Sequence, residues 1–392
     1  MTAEHAAAFV AEQPPALAEA TEPPEARGMD RDETRMLVAS PEGTLHTCFF
    51  ELGRFLEPGD LVVVNTSATL AAALDGVRDG GRWAVVHFSA PLDDGSWTIE
   101  LRVPDASGPL LDSRDGERIE LSGGGHLEVI SAYPEPGGHR RILRARVDTE
   151  GSVHDHLARF GRPISYCYVQ GRWPLGMYQT VFARDPGSAE MPSAGRPFTA
   201  ELVTEMMTRG IAFAPITLHT GVSSQESGEM PLPERFRVPE ATARLVNHTR
   251  ANGGRVVAVG TTVTRALESA VEADGTVART EGWTDLVMGS DRPARVVDGL
   301  VTGWHAHESS HLKLLEAVAG VDVVERAYEA ASREGYLWHE FGDSCLLLPE
   351  RANAPNPRGD RGRSPRRRRA RRADAVSRAA RSVRGGAGGV SS

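Results

Sequence analysis

Apolar residues along the chain fall into three successive textures. Between residues 35 and 65 they form short runs at 35–39, 45–50 and 61–65. Leu61-Val62-Val63-Val64-Asn65 is continuous rather than alternating, and it follows the turn Glu57-Pro58-Gly59-Asp60. A continuous apolar run of this length predicts a strand covered on both faces, as in a parallel or mixed sheet. From about residue 77 to 148, β-rich runs follow one another at 83–89, 97–103, 117–121, 126–132 and 142–147. Turns such as Asp93-Asp94-Gly95 and Gly123-Gly124-Gly125 separate them. Short strands with no helix between them predict an antiparallel barrel or sandwich.

From 151 to 348 helical and strand patterns alternate. Thr199 is positioned to cap a helix reaching Arg209, with Gly210 as its left-handed stop. A strand is predicted at 211–218 and a helix from Pro239 to the Asn252-Gly253-Gly254 stop. Then come a strand at 255–259, a helix at 263–271, helices at 312–319 and 322–334, and a last strand at 341–348. The expected fold is α/β: a mixed-sheet α/β domain at 29–76 and 149–350, interrupted by a small antiparallel β-barrel domain at 77–148. Residues 1–28, rich in Ala, Pro and Glu, are expected to be a partly disordered arm. Residues 351–392, rich in Arg, Pro, Ser, Gly and Ala, are expected to be a disordered tail.

Charge changes this picture. The tail holds 13 Arg against Asp360 and Asp374, a net +11. Within a total of -9, that leaves -20 on the first 350 residues. So acidic a body repels phosphate at long range and is no generic nucleic-acid binder. The arginine run 366–369 can attract RNA, but no aromatic residue interleaves it, which favours a dispensable extension. Cys48, Cys167 and Cys345 form no CxxC pair and read as reduced thiols. No basic n-region precedes an apolar h-region, and no run of about 20 apolar residues occurs. A cytoplasmic protein without a membrane span is expected, acting as a monomer.

Three segments suit chemistry. Val256-Val257-Ala258-Val259-Gly260-Thr261-Thr262 is a strand, a glycine turn and a helix start. Such a turn aims backbone N–H groups and the positive end of the helix dipole at a ligand. Plain capping by Thr261 or Thr262 accounts for the pattern equally well. Tyr178-Gln179-Thr180 lies in an irregular segment leading to the Thr199 helix, a usual place for ligand clamps. Histidines gather at His305, His307 and His311; the four-residue spacing of the last two suits a metal. No HExxH pattern or third ligand accompanies them, so no metal is expected and a hydrogen-bonded pair is favoured. Asp285, Asp298 and His305 are candidate acid/base groups beside an aromatic wall from Trp283 and Trp304.

Taken in order, several motifs resemble the S-adenosylmethionine:tRNA ribosyltransferase-isomerase family of queuosine biosynthesis. They are Gly59-Asp60-Leu61-Val62-Val63-Val64-Asn65, Tyr178-Gln179-Thr180-Val181-Phe182-Ala183, and Val259-Gly260-Thr261-Thr262 with Arg265 and Leu267-Glu268-Ser269. Gly282-Trp283-Thr284-Asp285, Arg333-Glu334-Gly335-Tyr336 and Gly342-Asp343 complete the set. The resemblance spans roughly residues 13–348. It implies transfer and isomerisation of the ribosyl group of S-adenosylmethionine onto 7-aminomethyl-7-deazaguanine in tRNA, with release of adenine and methionine. S-adenosylmethionine is then a co-substrate, tRNA a partner, and no metal is needed. His305, Asp298 and Asp285 are the catalytic candidates. Tyr178, Gln179, Thr180, Gly260, Thr261, Thr262 and Arg265 are the candidates for binding S-adenosylmethionine. The chain departs from the family pattern at Ala68 and Ala73, where arginines are usual, and at Pro197 and Glu308 in place of His and Lys. A small-molecule acceptor, or a non-catalytic nucleoside- or RNA-binding role, is the alternative that these changes raise.

Overall fold

The computed structural model describes residues 17–349 except 106, 223–230 and 306–308. Most of the expected arm, the arginine-rich tail, His307 and Glu308 therefore lie outside the described residues. Among those described, nine strands form one mixed sheet. Its order is Thr280–Thr284, Glu234–Val238, Ala212–Leu218, Leu61–Asn65, Val256–Val259, Gly299–Thr302, Ser344–Leu347, Arg35–Ser40 and Gly43–Cys48. The strands from Ala212–Leu218 to Gly299–Thr302 run parallel. Leu61–Asn65 and Val256–Val259 are buried at every position, as their continuous apolar sequence requires.

Helices cover both faces. Glu240–Ala251, Thr261–Ser269, Ser310–Ala319 and Val321–Arg333 pack one face around Val63, Ile216, Ala258 and Leu300. Ala200–Thr208 packs the other around Val62, Val64, Val257 and Phe198. Each fully buried Val or Leu here contributes about 1.5–3 kcal/mol of transfer free energy. Thr199 caps its helix by accepting from the Leu202 N–H at 3.1 Å, as its sequence predicts.

Between Asn65 and the rest of the sheet the chain makes a closed antiparallel barrel. Its strands are ordered His126–Ala132, Ile142–Asp148, Trp97–Arg102, Arg82–Pro91, Ala73–Arg78 and Arg118–Leu121. Val86, Ile99, Leu101, Leu127 and Leu143 fill it. This is the mixed-sheet α/β fold with an inserted barrel that the apolar pattern predicts. The same barrel core includes Leu157, Ile164 and Tyr166 from the segment that returns to the main sheet. Barrel and sheet are thus packed together along this seam.

Individual elements differ from expectation. The run at 45–50 is strand only to Cys48; Phe49–Arg54 winds into a 3-10 helix that buries Phe49 and Leu52. The last strand starts at Ser344, because Gly342 N–H donates to His339 O and turns the chain first. Glu234–Val238, Thr280–Thr284 and Gly299–Thr302 escape the pattern; charged and exposed positions such as Arg235, Arg237 and Glu281 break up the first two. No described helix is long and apolar enough to cross a membrane.

Candidate active site

Chain order reverses about Leu61–Asn65, since the next parallel strand lies on one side of it and Val256–Val259 on the other. Open sheets bind ligands at the carboxyl ends of strands flanking such a switch point. Here those ends are Asn65, Leu218, Val259 and Thr302. Gly260 stops the strand with φ +90° and ψ 160°, a backbone that disfavours any side chain. A Cβ there would also lie 3.3 Å from that of Ala194.

The helix Thr261–Ser269 has no side-chain cap. Among the described residues neither Thr261 nor Thr262 caps the first turn, whose N–H groups point to the carboxyl edge of the sheet. Thr261 instead hydrogen-bonds His311 Nδ1 at 3.2 Å. Thr262 Oγ1 lies 3.5 Å from Asn65 Nδ2, while the Asn65 amide also bridges Leu218. His305 Nε2 meets Thr302 Oγ1 at 3.2 Å, and the His305 and His311 rings stack at 4.7 Å. Burial, reinforced by the neighbouring histidines, lowers His305 well below its ordinary value; burial lowers His311 to about 4. Both are neutral at pH 7 and offer a nitrogen lone pair rather than a charge.

This lowering makes stability depend on acid. A proton binds the unfolded histidine more tightly than the folded one. The stability from His311 is full above about pH 6.5 and is lost as pH falls toward 4. Denaturant titration should show a loss on the order of 1–2 kcal/mol from His311 between pH 7 and 5. His311→Gln should flatten that part of the profile. A profile identical to wild type would show that His311 is readily protonated.

The other predicted residues are distributed as follows. Tyr178 is buried against Phe341, with ring centroids 5.2 Å apart. The Gln179 amide is engaged at both ends by the Thr69 backbone, Oε1 accepting at 3.0 Å and Nε2 donating at 2.8 Å. Thr180 Oγ1 accepts from the Phe182 N–H at 3.2 Å. Gln179 and Thr180 thus brace their own segment and the strand Ser67–Thr69. Arg265 is buried and donates to the carbonyls of Leu286 and Thr284 and to the Glu234 carboxylate. It ties the strands Glu234–Val238 and Thr280–Thr284 to the helix. Asp298 stands at the opposite edge of the sheet, one strand of about 13 Å from Thr302. Its carboxylate accepts from the Val256 N–H at 2.9 Å. Asp285 lies at the ligand edge but is exposed and follows the outermost strand. Of the three acid/base candidates, only His305 is at the switch point.

Two groupings escape the sequence pattern. Ser67 Oγ sits 2.6 Å from Ser188 Oγ and 2.7 Å from His219 Nδ1. Gly187 permits this, because a Cβ there would enter the His219 ring at 2.4 Å. The only sequence signal is His219 within His219-Thr220-Gly221. The second grouping lies along the barrel seam. A cavity of about 300 Å3 is lined there by Tyr166, Trp173, Tyr178, His87, Arg162 and Ala73, among others. Rings continue from it, Tyr166 to Tyr168 at 6.0 Å and Tyr168 to His339 at 3.9 Å. Nothing local in the sequence pairs these residues.

Fold and relatives together define an α/β enzyme, whose candidate site is the carboxyl edge of the open sheet beside an inserted barrel. The chain belongs to the queuosine biosynthesis protein family, which it matches over residues 11–347. It is similar to the S-adenosylmethionine:tRNA ribosyltransferase-isomerase of Symbiobacterium thermophilum, with 36% identity over 81% of this chain and 94% of that protein. The same enzyme of Moorella thermoacetica is 36% identical over 81% and 94%, and that of Thermus thermophilus 33% over 81% and 93%. A solved S-adenosylmethionine tRNA ribosyltransferase from Thermotoga maritima is 26% identical, covers 84% of this chain and 96% of its own, and has a TM-score of 0.46.

Proposed function

We propose that the chain is an S-adenosylmethionine:tRNA ribosyltransferase-isomerase. It transfers and isomerises the ribosyl group of S-adenosylmethionine onto 7-aminomethyl-7-deazaguanine in tRNA, giving epoxyqueuosine and releasing adenine and methionine. The single observation that carries this reading is the uncapped helix start at Gly260 on the switch point, with neutral His305 and His311 beside it. Gly260, Thr261 and Thr262 bind the co-substrate, the first-turn N–H groups donating to its carboxylate or ribose oxygens. Neutral imidazoles do not repel a sulfonium, and in this reading His305 takes the proton from C5′. The sulfonium itself acidifies that carbon, so no metal is needed for the step.

The seam cavity suits the acceptor. A base extruded from the anticodon loop stacks on aromatic rings and is read at its edges. Tyr166, Trp173 and Tyr178 supply the rings. Ala73, which stands where the family usually has arginine, lines this cavity together with Arg162 and Arg172. Arg162 is paired with Asp75 at 2.6 Å, so Arg172 is the arginine of the lining that offers positive charge near the missing one. A tRNA substrate places the reaction in the cytoplasm.

Incubation with S-adenosylmethionine and tRNA bearing the deazaguanine should release adenine. No adenine above the no-enzyme rate would sink the reading. The acidic body also predicts that strong tRNA binding depends on the arginine tail. Removing residues 351–392 should weaken binding at low salt and flatten its salt dependence by about one unit of slope for each phosphate that the tail neutralises. A truncated protein with the full slope would show that the body alone holds the RNA.

A further inference from the structure

The turn between Leu337–Trp338 and Ser344–Leu347 carries two unusual neighbours. His339 is the one non-glycine residue with a left-handed backbone among those described, at φ +80°. Such strain costs on the order of 1 kcal/mol and persists where surroundings enforce it, often at functional sites. Tyr168 OH holds His339 Nδ1 at 2.6 Å, and Trp338 packs on the His339 ring at 4.2 Å. The next residue is Glu340. It is partly exposed overall, yet its Oε2 is buried and has no hydrogen-bond partner among the described residues.

Glu340 lines a crevice with Ser193, Ala194, Arg196, Gly303 and Asp343. The crevice measures about 10 Å3, close to the room of one water. Ala194 joins it to the Gly260 turn, lying 3.3 Å from where a Gly260 Cβ would be. Gly303 joins it to Thr302, which holds His305. Glu340 Oε2, buried and without a partner among the described residues, thus lies in a crevice that shares Ala194 with the Gly260 turn and Gly303 with the end of the Gly299–Thr302 strand.

We propose that Glu340 is the acid that protonates departing adenine, a role that rests on the ribosyltransferase reading above. As the ribose–adenine bond breaks, its electron pair stays on the base. The Glu340 proton passes to a ring nitrogen that reaches the crevice, and Glu340 is left as a carboxylate. Water returns the proton once the products leave.

The surroundings support a neutral carboxyl before reaction. Among the described residues, Tyr166, Tyr168, Tyr178, Glu190, Arg196, His305, His339 and Asp343 are titratable or charged groups around the turn. Arg196 donates to Glu25 and Met177 O, and Asp343 accepts from Arg35 and the Leu337 N–H, so neither is available to neutralise Glu340. Burial first, and then the charge of Glu190, push Glu340 up to about 8, against a smaller opposing pull from the Tyr168 hydroxyl. The acid thus still holds its proton at pH 7.

Glu340→Gln keeps the shape and an N–H donor but has no proton to give. Its affinity for S-adenosylmethionine should stay within about threefold of wild type by calorimetry. Adenine release with tRNA should slow by about 100-fold or more. Wild-type release should decline above pH 8, and the residual activity of the variant should lack that decline. The melting temperature of wild type should also fall relative to the variant as pH rises from 6 to 9. Release within a few-fold of an active wild type, an alkaline decline that persists in the variant, or no relative shift in melting would each overturn the role of Glu340 alone. A wild type that releases no adenine would overturn the functional reading, and this role with it. Should Glu340→Gln not fold, Glu340→Asp retains a proton and should recover release together with an alkaline decline. Loss of that decline in a folded Glu340→Asp would equally count against the proposal.

Discussion

Replacing Thr262 by arginine is expected to weaken S-adenosylmethionine binding about 100-fold, or about 2.7 kcal/mol, in a protein that still folds. Thr262 is half-buried in the first turn of the uncapped helix. Its hydroxyl touches only the edge of hydrogen-bonding range, 3.5 Å from Asn65 Nδ2, so its removal costs little stability. Thr261 makes a poorer probe, being buried with its hydroxyl on His311, so that a change there mixes folding with binding. An arginine at Thr262 would fill the turn and place a cation against the sulfonium and the positive end of the helix dipole. Calorimetry beside a melting curve separates the two effects. An unchanged dissociation constant in a folded variant would move the co-substrate away from the Gly260 turn.

Arg265→Ala is expected to cost about 3 kcal/mol of stability, because it leaves the largely shielded Glu234 carboxylate without its cation. Burial already raises Glu234 above the ordinary carboxylate range, with Arg265 as the first opposing influence. Two backbone carbonyls, Leu286 and Thr284, lose their guanidinium donors as well. Glu234→Gln combined with Arg265→Ala should recover part of the loss, since no buried charge then stands alone. Denaturant unfolding measures this directly. A stable Arg265→Ala protein that had lost only S-adenosylmethionine binding would restore Arg265 as a ligand-binding residue.

These two tests differ because the sequence treats Thr262 and Arg265 alike. Both belong to one family motif, three residues apart, on a helix that begins at the ligand edge. The helix start brings Thr262 to the carboxyl edge of the sheet, beside Asn65. One turn further on, Arg265 is carried back toward the edge strands, where Glu234 and the Thr284 and Leu286 carbonyls receive it. Gln179 follows the same logic. Its residue type suits a ligand clamp, but Thr69 engages both ends of its amide.

The sequence by itself determined what depends on local periodicity and burial. Continuous apolar runs at Leu61–Asn65 and Val256–Val259 require cover on both faces, and closely spaced turns between 77 and 148 require antiparallel strands. Thr199 announces its helix because a cap acts within three residues. Tertiary structure alone decided which candidates share a site. Asp298 and Thr302 are four residues apart, yet one strand carries them to opposite edges of the sheet. His339 and Glu340 gave no signal, because their character comes from Tyr168 and Glu190, over 140 residues away. A backbone pattern repeats along the chain and can be read from it. A site depends on which distant groups folding brings within hydrogen-bonding distance, and on which of them other partners have already taken.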